Sequence, residues 1–122
     1  MSKYSEIALH AVDLVHQKRV SDPVDAWSEA AMLFYPNNKS LREKNCPKSS
    51  FLGLCEEGRI KNVKVGSYSK SKLNKSYALK ALSMLEINPN LSEKELWENI
   101  STKQYNQQMH VVLALFKANL IV

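Results

Sequence analysis

Apolar residues recur three and four positions apart in two separate stretches of the chain. Ile7, Ala11, Leu14 and Val15 form one stripe, and Ala78, Ala81, Leu82 and Leu85 form the other. That spacing puts each set on one face of an α-helix and predicts helices over 3–18 and 74–87, with alanines that permit close approach of a neighbour. A second pair of helices is predicted over 23–35 and 93–101. Asp22 and Ser92 suit N-caps, Pro23 suits the first helical position, and Glu95, three residues after Ser92, completes a capping box. The apolar runs FLGLC and VVLALF predict a third pair over 47–57 and 106–118. Val63 and Val65 flank Lys64 and give a weak strand signal that Gly66 ends, so the intervening stretch is expected to be a loop or a short β-hairpin.

The members of each pair also align with one another. At an offset of 70 residues IALHAVDLV (7–15) falls on YALKALSML (77–85), and in the same register Trp27 falls on Trp97, the only two tryptophans. At an offset of 61, FLGLCEEGRI (51–60) falls on VLALFKANLI (112–121), with Gly58 over Asn119. Gly and Asn are the residues that best tolerate the left-handed conformation ending a helix. The offset shortens because the first copy carries about nine extra residues around YPNNKSLREKN, an insertion of loop character. The predicted fold is therefore all-α: a single six-helix domain over 1–122. It is built from two pseudo-symmetric three-helix repeats, 3–60 and 73–121, joined by a basic connector, 61–72. A unit of under about 50 ordered residues buries too little surface alone, so the two are expected to share a core. Trp27 and Trp97 should be equivalent anchors in it, each with its indole N–H beside a partner.

Composition narrows the class. The chain has 122 residues, 44% of them hydrophobic and 24% charged, which is ordinary for a globular protein. No apolar run approaches the roughly 18 residues of a membrane span, and the N-terminal stretch alternates polar and apolar residues as a signal peptide does not. A cytoplasmic location, no membrane partner and reduced cysteines are the expectations. The net charge of +5 is unevenly spread: no acid lies between Glu57 and Glu86, while that stretch holds seven of the 17 basic residues. The remaining ten face all 12 acids, so the rest of the chain is net negative.

That basic stretch is the main candidate site. Arg59, Lys61, Lys64, Lys70, Lys72 and Lys75 could meet phosphates, with Tyr68 available for stacking on a base; as a loop between helices the same lysines would simply keep it soluble. Downstream, STKQYNQQMH (101–110) opens a helix after a short turn, the layout of a helix-turn-helix. Gln104, Asn106, Gln107 and Gln108 carry the amides suited to adenine, although exposed helix starts are commonly polar. Cys55 sits among Phe51, Leu52 and Leu54 and is expected to be a buried small hydrophobe. Cys46 would be an N-cap ahead of Pro47, where helix-start amides and nearby Lys44 and Lys48 favour a thiolate, making it a candidate reactive thiol. Nine residues along one helix separate the two thiols by roughly 13 Å, too far for a disulfide. His10 and His16 lie on different faces and His110 stands alone, so no metal site is expected. No cofactor-binding or catalytic motif is present.

The strings CPKSSFLGLCEEGRIKNV, GSYSKSKLNKSYALKAL and QQMHVVLALFKANLI resemble a family of small, uncharacterised bacterial proteins carrying a domain of unknown function. The resemblance spans nearly the whole chain and implies no activity, cofactor or site residue. Three function classes follow from the residues: a regulatory or nucleic-acid-binding module using the basic 59–80 segment, a protein–protein interaction module binding a partner or a second copy of itself, and a thiol-dependent enzyme using Cys46.

Overall fold

The computed structural model describes residues 2–122. Among them run α1 (Lys3–His16), α2 (Pro23–Phe34), α3 (Lys39–Arg42), α4 (Asn45–Glu56), α5 (Lys72–Ile87), α6 (Glu93–Ile100) and α7 (Gln108–Lys117). Six of these are the predicted helices. The seventh, α3, is a single turn inside the YPNNKSLREKN segment, where the Asn38 side chain accepts the Leu41 N–H and the Arg42 guanidinium donates to the Tyr35 and Pro36 carbonyls. The caps lie where the sequence puts them. Asp22 accepts from the Val24 N–H with Pro23 opening α2, and Ser92 and Glu95 form the reciprocal capping box of α6. Each such cap satisfies a helix-end donor that would otherwise lack a partner.

No strand forms among the described residues, so the hairpin alternative is not realised. Val63 turns into the core and its N–H donates back to the Ile60 carbonyl, whereas Val65 is 59% exposed. Two valines give too short an alternation to build a ladder without a facing strand. The one extended pairing is an isolated antiparallel bridge between Ile60 and Ile121. It is closed by Lys61 N–H to Leu120 O (2.8 Å) and Val122 N–H to Arg59 O (2.9 Å).

Helices α4 and α7 pack at the centre. On one side α1 lies against α7 and α2; on the other α5 lies against α4, with α6 beyond it. Met109 and Val111 through Leu115 are all buried, so most of α7 is enclosed, and His110 and Lys117 mark the one face left open to solvent. The α4–α5 crossing is tight: a Cβ added to Gly53 would come within 2.7 Å of Lys75 Cβ and 2.9 Å of its Cα. Trp27 lies wholly inside, against Phe51 at a ring-centroid distance of 5.3 Å. The expectation that both indoles find a partner holds for one: Trp97 Nε1–H donates to the Lys103 carbonyl (2.8 Å), while Trp27 Nε1 has none among the described residues. Phe51, the ring packed against Trp27, offers no acceptor.

Candidate functional site

The basic connector is held in place by acids that flank it. Glu56, at the end of α4, accepts the N–H groups of Tyr68 and Ser69 on one oxygen and the Lys75 ammonium, at 2.6 Å, on the other. Lys75 also contacts Glu57. The Lys75 ammonium and the two amides hold the Glu56 carboxyl below the usual carboxylate range, and Glu56, followed by Glu57, raises Lys75 above the usual lysine value. Arg59 is similarly engaged, by Glu86 at 3.2 Å and by the Val122 carbonyl at 2.7 Å. The backbone of Lys61 is taken up by the Ile60–Ile121 bridge and by His16, whose Nε2–H donates to its carbonyl (2.6 Å). Two of the predicted phosphate-binding side chains, Arg59 and Lys75, are thus already paired.

Lys64, Lys70 and Lys72 remain exposed and have no ion pair among the described residues. Tyr68 is half-buried; its O–H donates to the Lys64 carbonyl (2.8 Å), and burial raises its pKa. Its ring lines a cleft of about 380 Å³ in which Lys70 of the connector meets Lys48 of α4, together with Asn45, Ser49 and Glu43. The structure therefore gathers Tyr68, Lys70 and the unpredicted Lys48, with Lys64 attached through its carbonyl.

The 101–110 segment is arranged otherwise than a reading helix requires. Helix α7 opens at Gln108, two residues later than predicted, because the Gln108 Oε1 accepts the Asn106 N–H and Gln107 takes a left-handed conformation (φ 73°). Gln108 is 3% exposed, and its amide donates to the buried Asn74, which in turn donates to Ser71. Gln107 Oε1 is enclosed and lacks a partner. Of the four amide side chains, Gln104 alone lies on an exposed residue; Asn106 and Gln107 are half-buried.

Cys46 is the second residue of α4, not its cap: Asn45 opens the helix and Lys44 precedes it. It is half-buried, its carbonyl accepts the Ser50 hydroxyl, and among the described residues no side chain hydrogen-bonds the thiol. Cys55 is fully buried, and burial pushes its thiol far above the normal range.

The sequence reading leaves His110 alone, and the structure does not. Tyr105 Oη accepts the His110 backbone N–H at 2.8 Å and lies 2.5 Å from its Nδ1. A phenol oxygen can accept a second hydrogen bond as well as donate its own, so the hydrogen between Oη and Nδ1 belongs to whichever group the ring tautomer dictates. Nε2 faces Glu93 Oε2 at 3.6 Å. Burial raises the Tyr105 hydroxyl well above the ordinary tyrosine value. Glu93, Tyr105 and His110 come from three places, the first turn of α6, the loop after it and the first turn of α7. The only sequence signal was a tyrosine five residues before a histidine across a helix start.

The family described as a family of unknown function, DUF6979, matches residues 1–122. No curated protein and no solved structure matches the chain.

Proposed function

The chain belongs to the DUF6979 family, and we propose that it acts as a small polyanion-binding module whose natural ligand is nucleic acid. The observation that carries this is the convergence of Lys48 and Lys70, from two different elements, on a cleft edged by Tyr68. Lys64 and Lys72 extend the positive surface to either side in sequence, and neither is neutralised by a neighbouring acid as Arg59 and Lys75 are. Glu43 sits at the opposite edge and limits how closely a phosphate can enter there. Since Gln108 is committed to the core and Gln107 is half-buried, contacts would go to the phosphate backbone rather than to base edges, and little sequence preference is expected.

Engaging three or four phosphates gives a log–log salt slope of roughly −3 to −4 on B-DNA. Replacing Lys48, Lys64, Lys70 and Lys72 by Gln should remove most of that slope and leave the helical circular dichroism unchanged. Absence of any retardation of mixed DNA and RNA at micromolar protein in low salt would end this reading. Self-association in sedimentation, with no nucleic-acid binding, would favour the protein–protein module instead.

The fold supports a second inference, that 3–60 and 73–121 are two copies of one unit joined by 61–72. Trp27 and Trp97 are each the fifth residue of their helix, behind Asp22 and Ser92 caps. Gly58 (φ 70°) and Asn119 (φ 60°) end α4 and α7 in the same left-handed turn. The bonds of that turn match too: Gly58 to Cys55 and Arg59 to Leu54, Asn119 to Phe116 and Leu120 to Leu115. The Ile60–Ile121 bridge exchanges its two bonds between equivalent atoms, as a two-fold axis through it requires. An experimental structure in which the two copies fail to superpose by a single two-fold rotation would remove the reading.

A further inference from the structure

The surface beside α6 differs from the rest of this basic chain. Its eight residues carry Glu93, Glu95 and Glu98 against Lys94 alone. Behind it three rings meet. Tyr105 lies 5.5 Å from Trp97, tilted by 60°, and 5.5 Å from His110, tilted by 35°, while Tyr77 closes the back of Trp97 edge-on at 5.0 Å. Trp97, Tyr105 and His110 line a cavity of about 410 Å³ whose rim carries Glu93, Glu98 and Lys94. The polar tips of Trp97 and Tyr105 are already used, on the Lys103 carbonyl and on His110. What these two side chains can offer a guest is ring surface.

Ring faces are electron-rich and attract a cation held within about 6 Å of the centroid. The carboxylates complement that preference. Lys94 Nζ lies 3.9 Å from Glu98, both well exposed, and partly offsets that carboxylate; Glu93, 36% exposed, is the inner one. A bare ammonium brings three N–H donors, more than a site with one inner carboxylate and apolar walls can satisfy, and leaving them unpaired is costly. A cation whose charge is spread over methyl groups makes no such demand. We propose that this cavity binds a small organic cation bearing a methylated ammonium group, caged by Trp97, Tyr105 and His110 and neutralised by Glu93.

The test uses choline and 3,3-dimethylbutanol, its uncharged carbon isostere, at matched ionic strength. In the ¹H–¹⁵N spectrum of the wild-type protein, choline should shift the Trp97 indole N–H saturably, with the Trp27 indole as an internal control that stays still. Glu93→Gln should weaken choline binding about ten-fold, the scale of one partly buried charge pair. Tyr105→Leu should abolish it; Glu93→Gln, lying at the rim, keeps the test decisive if the tyrosine variant does not fold. No saturable shift up to tens of millimolar choline, or an equal response to dimethylbutanol, overturns the proposal. An unchanged affinity in Glu93→Gln does so as well.

Discussion

Trp27 and Trp97 occupy the same position in their helices and do different jobs. Trp27 is fully buried against Phe51 with its N–H unpartnered among the described residues, so its worth lies entirely in buried area and packing. Trp97 keeps 7% of its surface, hydrogen-bonds the chain beyond α6 and forms one wall of a cavity with Tyr105 and His110. One position thus serves packing in the first half and a surface cleft in the second. The connections that follow the two helices differ as well: α3 and the residues around it lie between Tyr35 and α4, whereas only the short 101–107 loop joins α6 to α7.

The largest expected effect tests that contrast directly. Trp27→Ala should destabilise by about 3–5 kcal/mol, the cost of a large core aromatic, and Trp97→Ala by about 2–3 kcal/mol, since its cavity wall is already open to water on one side. Urea melts measure both, and equal losses would show that the two halves are packed alike.

Next come the helix crossings and stops. Gly53→Ala should cost about 1–3 kcal/mol as an overpacked contact, because the added methyl meets the Lys75 backbone and not a flexible side-chain end. The stops should respond in opposite directions. Gly58→Ala forces a Cβ into a left-handed turn against Val65 and should lose about 1–2 kcal/mol. Asn119→Gly should be neutral or gain a few tenths of a kcal/mol in thermal melts.

The smallest effect is on pH dependence. Glu56 is held below its ordinary 4.5 by Lys75 and the Tyr68 and Ser69 amides. Its contribution is therefore fully present above about pH 4.5 and is lost as pH falls through the lower folded value. Lys75 is raised above 10.5, so its share is complete below that pH and is lost as pH rises through the higher folded value. Glu56→Gln should flatten the acid limb of a stability–pH curve and, because Glu56 is the larger cause of the Lys75 shift, most of the alkaline limb; Lys75→Met should flatten both.

Local signals carried much of the fold. Asp22, Ser92 and Glu95 cap as their side chains predict, and Gly58 and Asn119 stop their helices because only residues tolerant of positive φ sit there cheaply. The site was harder to foresee. Neither the pairing of Lys75 with Glu56 nor the burial of Gln108 against Asn74 follows from spacing, since each partner lies 19 or more residues away on another helix. A string of lysines looks equally free whether or not acids fold back on it. His110 looked isolated for the same reason: Glu93 reaches it only once α6 and α7 have packed.

The contact of α1 with α7 has a consequence for how the chain is made. The Ser5 hydroxyl donates to the His110 carbonyl, 105 residues downstream. At synthesis rates of about 5–20 residues per second, α1 waits on the order of 5–20 s for its partner to be polymerised. During that interval α7 is not there to complete the packing of α1, whose buried residues include Ile7, Ala8, Ala11 and Val12. Two of those four residues are alanines, which keeps the face that must wait small and only weakly adhesive to other nascent chains.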